Sequence, residues 1–599
     1  MTVSPQGMSV QALYRNYRDG TLIVNRQYQR KLVWTVAEKQ RLIDSILSDY
    51  PLPLFLFAEK PANARGKAYL EVIDGMQRLN AIFSFIEHGF RWEEKCFDIA
   101  EFARARQAAD AGAFEPFTEN IPRITAKQCA NMLDYQLAVT VFPGEQDERI
   151  TDVFGRINSG GKQLSDQERR QAGVLSPFAD LVRKLAAEIR GDVSRETLLL
   201  SEMPEISIET TRNLHGYALK AEEIFWCYQG VLRTGDLRDS EDEQMIADIC
   251  ASILLETPVE ASREYLNKLY TRGTPQFDDI NARIAVFGRD RLIEEVKTVF
   301  STIRTAIESF NPERFAFRKL VYSTPTSNSQ KTPFYAVFMA FYNLIYLENL
   351  APPPDGKFLS SLKNLAERIK IGQKHIRSED RLDNIKITSG LIRDKFTACD
   401  KQSLSHGPGM IFDFENSIRR SKTETSRYEF KQGLLRLDKH RKVDPTILQT
   451  ITETICGIAN IGPDAHGFVY LGIADKATDA VRIKKLDGVE ALNVASISDV
   501  QIVGIDREIS VLQTTLDKYM RLITDGIQAS QLSDPLKTQV LQSIDVIDYK
   551  GRSVVRMVVP KQQSVSFIGD DCFIRVGSST HKAKGPQIAS TTANFSFAR

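Results

Sequence analysis

The sequence predicts a multidomain α+β protein, with an α/β unit at the front, a mainly helical middle and a second α/β unit at the rear. Three observations predict it. At 599 residues the chain is longer than one hydrophobic core usually organises. Short β-type and helical runs alternate near both ends, whereas the middle repeats apolar residues at helical spacing with polar opposite faces. The composition, 42% apolar and 26% charged, is that of a globular chain able to bury several cores. The expected boundaries are an N-terminal domain over 1–175, a helical domain over 176–398, a linker over 399–420 and a C-terminal domain over 421–599.

The totals also exclude several classes. A formal net charge of +1 gives no global attraction to nucleic acid or anionic membranes, so any such binding must come from local basic patches. The seven cysteines contain no C-x-x-C pair, which argues against structural zinc or a disulfide framework and fits a reducing cytoplasm. The opening MTVSPQGMSVQALY is too polar for a signal peptide, and the longest apolar run, Phe334 to Leu347, is short for a membrane span and broken by Asn343. A cytoplasmic protein with a buried helix there and no membrane partner is expected.

In chain order, SVQALYRNYRDGTLIV predicts a short helix and then a strand. Tyr28, Gln29, Arg30 and Trp34 fall on a loop, and Leu42, Ile43, Ile46 and Leu47 make a helical stripe that stops before Pro51. A strand entered through Pro51 and Pro53 follows, and then YLEVIDGMQRLNAIFSFI, around which the first unit is organised. Val72 and Ile73 suit a buried strand, Gly75 allows a tight reversal, and Leu79, Ile82, Phe83 and Ile86 share one helix face. A helix starting at such a turn presents free N–H groups and attracts anions. Arg78 adds a positive charge, and Asp74 could hold a magnesium ion or orient a water. The alternative is a plain strand–turn–helix joint in which Asp74 is an N-cap.

Further on, Asn158-Ser-Gly-Gly161 predicts a turn, with Arg156 before it and a capping box formed by Ser165 and Glu168 after it. From about Ala172 to Phe396 the pattern is helical and holds no catalytic constellation; Arg377 and Arg381 are expected on a solvated face. Gly407-Pro-Gly409 marks the linker. The rear domain opens with the densest basic cluster in the chain, Arg419 to Lys442, interleaved with Tyr428 and Phe430 as a nucleic-acid contact requires. Glu424, Glu429 and Asp475 could form a metal-binding cluster of the kind nucleases use, or be three unrelated surface acids. A spacing of five puts Glu424 and Glu429 on opposite faces of an uninterrupted strand, so convergence needs Glu424 on a turn.

Two resemblances add to these readings. Tyr28-Gln29-Arg30 with Trp34, Ile73-Asp74-Gly75-Met76-Gln77-Arg78, and Phe154-Gly-Arg156-Ile-Asn158-Ser-Gly-Gly161 resemble the three blocks of the GmrSD-type domain of modification-dependent restriction and related phage-defence proteins. The resemblance implies a ParB/sulfiredoxin-like fold and nucleotide binding or hydrolysis. Arg30, Arg78 and Arg156 would then bind phosphates, and Tyr28, Gln29, Asn158, Gly160 and Gly161 would line the nucleotide site. Gln77 would orient the nucleotide, and Asp74 would hold Mg²⁺ or Mn²⁺ or position water. The usual Asp-Gly-Gln-Gln-Arg signature has Met76 at its first Gln here, and the HNH nuclease pattern that often follows is not apparent.

Near the C-terminus, Glu424, Tyr428-Glu429-Phe430-Lys431, Ile458-Ala459-Asn460, Leu471-Gly472-Ile473-Ala474-Asp475 and Ile574-Arg575-Val576-Gly577-Ser578-Ser579-Thr580 resemble the Schlafen AlbA-type domain. The family's Asn-Thr-x-Gly-Gly turn is replaced by the longer Asn460 to Gly467. This resemblance implies a nuclease metal on Glu424, Glu429 and Asp475, with Lys431, Arg575, Ser578 and Thr580 on the nucleic acid. Together the two imply a phage-defence protein that couples a nucleoside triphosphate at the front to metal-dependent cleavage of DNA or RNA at the rear, with modified phage DNA among the candidate partners. Homo-oligomerisation, a non-catalytic nucleotide-responsive DNA-binding regulator and a scaffold for a separate nuclease remain open.

Overall fold

A computed structural model describes residues 5–26, 31–62, 68–118, 120–143, 165–171, 174, 176–192, 197–203, 205–207, 218–324, 326–372, 376–398, 409–422, 425–494 and 497–596. The chain divides into two compact units, Met1–Phe412 and Asp413–Arg599.

The first unit opens with a mixed sheet. Its strands are β1 (Gln6–Ser9), β2 (Leu22–Asn25), β3 (Phe55–Ala62), β4 (Ala68–Asp74), β5 (Gln136–Pro143) and β6 (Thr197–Leu199), in the order β1-β5-β3-β4-β2-β6. β6 lies beyond residue 175, so the sheet draws its last strand from past the expected domain boundary. Helices α1 (Val10–Arg18), α2 (Val36–Leu47) and α3 (Met76–Ile86) supply much of its core. Thr35 and Glu38 close a capping box that starts α2, and Leu42, Ile43 and Ile46 are its buried stripe. The expected face of α3, Leu79, Ile82, Phe83 and Ile86, is buried, as are Ala81 and Phe85, so this helix is enclosed nearly all round.

A second core in the same unit is helical. Trp226 packs edge-on against Phe300 and Phe334, with ring centroids 5.0 and 5.3 Å away. The run Phe334 to Leu347 lies in the buried helix Lys331–Tyr342 and the π-turn Asn343–Leu347 that continues it. Among the described residues no helix is long and apolar enough to cross a membrane. Arg381, expected on a solvated face, is instead 4% exposed: it makes two 2.7 Å bonds to Asp248 and lies over the Tyr335 ring. Its partner is 133 residues away in sequence, beyond the reach of a helical-face argument.

In the second unit a four-stranded sheet runs Tyr428–Lys431, Gly467–Leu471, Arg552–Val559, Ile544–Tyr549, with the first pair parallel and the others antiparallel. Helices Ile447–Ala459 and Leu516–Ala529 bury Ile451, Ile455, Ile523 and Ile527 in its core. The hairpin Phe573–Val576 and Ser579–Lys582 follows. Residues 409–420, expected as the end of the linker, form the helix Gly409–Arg420. Phe414 and Ile418 are buried four residues apart, and Phe414 packs on Tyr470 and Tyr549.

Candidate functional site

At the front, β4 delivers Asp74 to the turn, and Gly75 adopts the left-handed conformation with φ of 102°. A side chain there would collide with the ring of Phe55, so both the backbone conformation and the close approach require glycine. Gly75 is itself the N-cap of α3 and no side chain caps the helix, so Asp74 is not the N-cap that the plain reading proposed. The first amides of α3 therefore start the helix without a side-chain acceptor.

Arg78 is held in place on four sides. It pairs with Asp74 Oδ2 at 2.7 Å, donates to the carbonyls of Pro53 and Leu54, and lies 4.3 Å above the Phe55 ring. Burial lowers its pKa, against the opposing pull of Asp74. Gln77 uses both ends of its amide on the backbone of another loop: Oε1 accepts from Val33 and Trp34 N–H at 3.2 and 3.3 Å, and Nε2 donates to the Lys31 carbonyl. These bonds position the loop that follows Tyr28-Gln29-Arg30.

At the rear, Glu429 sits on the strand Tyr428–Lys431 between two cations, with Lys431 Nζ at 2.6 Å and Arg575 Nη1 at 2.9 Å. Arg575 is 1% exposed at its side chain and also donates to the Tyr428 carbonyl and Thr580 Oγ1, both at 3.0 Å. Thr580 in turn meets Thr454. Arg575 and Thr580, expected on nucleic acid, thus dock the C-terminal hairpin inside the domain. Ser578 is exposed in the hairpin turn, and Asp475 is exposed just after the short strand Ile473–Ala474. Beside the strand, His466 packs edge-on to Phe468; partial burial and the field of Arg427, Arg420, Lys561 and Arg556 lower its pKa. The aromatic residues Tyr428 and Phe430 stack on Phe468 and Tyr470 across the parallel register.

Residues 10–175 match the family described as the GmrSD restriction endonuclease, N-terminal domain, and residues 424–584 match Schlafen, AlbA_2. The chain thus carries one family match near each end. No curated protein is similar enough to the chain to match it.

The second block of the GmrSD-type domain, Asp74 to Arg78, is the turn just described. Tyr28, Gln29 and Arg30 of the first block, and Arg156, Asn158, Gly160 and Gly161 of the third, lie outside the described residues. The capping box after the third block is present, with Ser165 N–H to Glu168 Oε2 at 2.9 Å and Glu168 N–H to Ser165 Oγ at 3.2 Å. In the Schlafen-type domain Glu424 lies outside the described residues, and among those described no three His, Cys, Asp or Glu side chains gather as a metal site.

Two structural centres escaped the sequence reading. In the Schlafen-type domain Asn460 is a buried clamp: its Nδ2 donates to the carbonyls of Ser566 and Phe573 at 2.9 and 2.8 Å, and its Oδ1 accepts from Ser566 N–H at 2.8 Å. In the first unit Lys31, which directly follows the first block of the GmrSD-type domain, is buried against Asp242, itself paired with Arg190. Lys31 stands next to a motif, a local signal that could have flagged it; Asp242 and Arg190 carry no such mark.

Proposed function

We propose that this fusion is a defence protein acting on nucleic acid, in which the GmrSD-type domain binds and hydrolyses a nucleotide and the Schlafen-type domain cuts nucleic acid. The two domain matches support the restriction or defence role and a nucleic-acid substrate. The observation that carries the nucleotide reading is the turn itself: a strand ending in Asp74, a left-handed Gly75 and a helix whose first amides have no side-chain acceptor. Phosphate groups of a nucleoside triphosphate fit such a helix start. Arg78 needs only to exchange its carbonyl partners for phosphate oxygens.

Asp74 supplies one carboxylate, and the bond to Arg78 occupies only Oδ2. That fits Mg²⁺ or Mn²⁺, which is commonly held by one or two carboxylates together with substrate phosphates. Such an ion would neutralise charge on the phosphates and favour attack by water. In the Schlafen-type domain Glu429 and Asp475, with Glu424, are the residues that would hold a nuclease metal, and Lys431 would move from Glu429 to a backbone phosphate.

The test is phosphate release from ATP, GTP, CTP and UTP with Mg²⁺, with and without phage DNA or cellular RNA, alongside gels that follow the nucleic acid. Turnover lost in Asp74→Ala and cleavage lost in Glu429→Ala are expected. Equal turnover in wild type and Asp74→Ala would refute the front reading, and equal cleavage in Glu429→Ala the rear one. One observation favours a second reading, a nucleotide-responsive DNA-binding regulator without catalysis: Glu429 is already neutralised by two cations. Nucleic acid bound but neither cut nor accompanied by phosphate release would decide for it.

A further inference from the structure

Directly after the third block in sequence, the helix Asp166–Gln171 faces the helix Arg263–Tyr270 across a cavity of about 530 Å³. Among the described residues its lining carries Arg169, Arg170 and Arg263 and one carboxylate, that of Asp166. That carboxylate is shared, since one oxygen pairs with both Arg169 and Arg263.

Arg170 stands out within this group. It is 6% exposed, yet no carboxylate bonds it: Nε donates to Asn267 Oδ1 at 2.7 Å, and Nη1 to Gln167 Oε1 at 3.0 Å and Gln244 Oε1 at 2.8 Å, all neutral amide oxygens. Its Nη2 is buried without any hydrogen-bond partner. Burial lowers the Arg170 pKa, which fits a guanidinium lacking a direct counter-ion. The hydrogen bonds of Arg170 all go to neutral groups, and the carboxylates of Asp166 and Glu241 act on it only through space, so an anion entering beside it gains a direct pairing that the fold does not supply. Guanidinium forks match the paired oxygens of a phosphate better than a halide or a single carboxylate oxygen, and the volume suits a ligand of nucleotide size or smaller.

We propose that this cavity is a second anion site, separate from the turn after Asp74, and that it receives the phosphate groups of a phosphorylated ligand. Phosphates at the end of a nucleic-acid strand and those of a free small molecule share that chemistry.

The experiment is titration calorimetry of the full chain with pyrophosphate, comparing wild type with Arg263→Gln, Arg170→Gln and Arg78→Gln. The exposed side chain of Arg263 makes its substitution compatible with folding, and a thermal melt checks the buried Arg170 variant. The expected result is a pyrophosphate affinity weakened at least tenfold by Arg263→Gln and retained in Arg78→Gln. No binding by wild type, equal affinity in wild type and Arg263→Gln, or loss only in Arg78→Gln would each overturn the proposal. A 5′-phosphorylated tetranucleotide in competition identifies the source. Displacement of pyrophosphate assigns the site to a strand end, and no displacement assigns it to a free phosphorylated molecule; both sustain the anion site.

Discussion

Gln77 donates its side-chain N–H to the carbonyl of Lys31, while the ammonium of the same Lys31 is buried against Asp242 at 3.4 Å. Lys31 Nζ also donates to the Leu237 carbonyl and Ser240 Oγ, at 3.2 and 3.3 Å. The helix that starts at the Asp74 turn, the loop after the first block and the helix Glu241–Leu254 are therefore joined by a continuous chain of bonds. A change at the turn that moved Gln77 would pull on a lysine anchored in the helical core.

Gln77→Ala removes three hydrogen bonds from the loop at once. At about 1 kcal/mol each, the loop should open more easily by about 2 to 3 kcal/mol. Hydrogen exchange at the amides of Val33 and Trp34, which donate to Gln77 Oε1, should quicken by tenfold or more while the α2 amides keep their protection. Unchanged exchange at both amides would refute the clamp.

Lys31 is 3% exposed and Asp242 fully buried, and Arg190 shares Asp242 with it. Replacing Lys31 with Met should cost less than replacing Asp242 with Asn: without Lys31, Asp242 keeps Arg190, whereas without the Asp242 charge Lys31 keeps only Glu243 at 3.7 Å, a carboxylate it must share with Arg190. Breaking such a buried group typically costs about 3 to 5 kcal/mol. The network also sets a pH dependence. Burial would raise the Asp242 pKa, but Arg190 and Lys31 outweigh it and hold the carboxyl below its ordinary value. A carboxyl depressed on folding stabilises the fold above its unfolded pKa of about 3.9, and that contribution is lost as pH falls through the lower folded value. The urea midpoint of the first unit should drop below about pH 3.9 in wild type. Asp242→Asn should flatten that drop; an identical acid limb in both proteins would count against the assignment.

Much of this architecture was legible locally. The apolar pair Val72 and Ile73 before Asp74, the stripe of α3 and the Ser165–Glu168 box are patterns within a few residues, which a local reading finds directly. What was not legible depends on partners distant in sequence. Arg381 reads as a surface arginine until Asp248, 133 residues earlier, is seen to hold it. The ion pair of Glu429 with Arg575, 146 residues later, was likewise invisible to any local pattern. The helix Gly409–Arg420 was missed for a different reason: the Gly407-Pro-Gly409 signal outweighed Ile411, Phe414 and Ile418, which recur at helical spacing just after it.

Gly75→Ala should be among the most damaging single-methyl additions in the first unit. It forces a side chain into the left-handed conformation at φ of 102° and into the Phe55 ring. Backbone strain alone is about 1 to 3 kcal/mol, and the collision adds to it. Phe55→Leu in the Gly75→Ala background should recover part of the loss by relieving the collision but not the strain. A urea melt of Gly75→Ala that overlays wild type would disprove the requirement for glycine.

The two cations on Glu429 should separate into a structural and a functional one. Arg575 is enclosed and ties its hairpin to the Tyr428 carbonyl and Thr580, so Arg575→Gln should destabilise the second unit by about 3 kcal/mol. Lys431 is about a quarter exposed, with 26% of its side chain open, so it can leave Glu429 for a phosphate. Lys431→Gln should leave the melting temperature of that unit nearly unchanged, weaken nucleic-acid binding at all sequences alike, and lower the slope of log affinity against log salt by about 1. Melts of both variants, with binding measured at several salt concentrations, separate the roles. If Arg575→Gln melts like wild type, or Lys431→Gln leaves the salt slope unaltered, the corresponding half of the division fails.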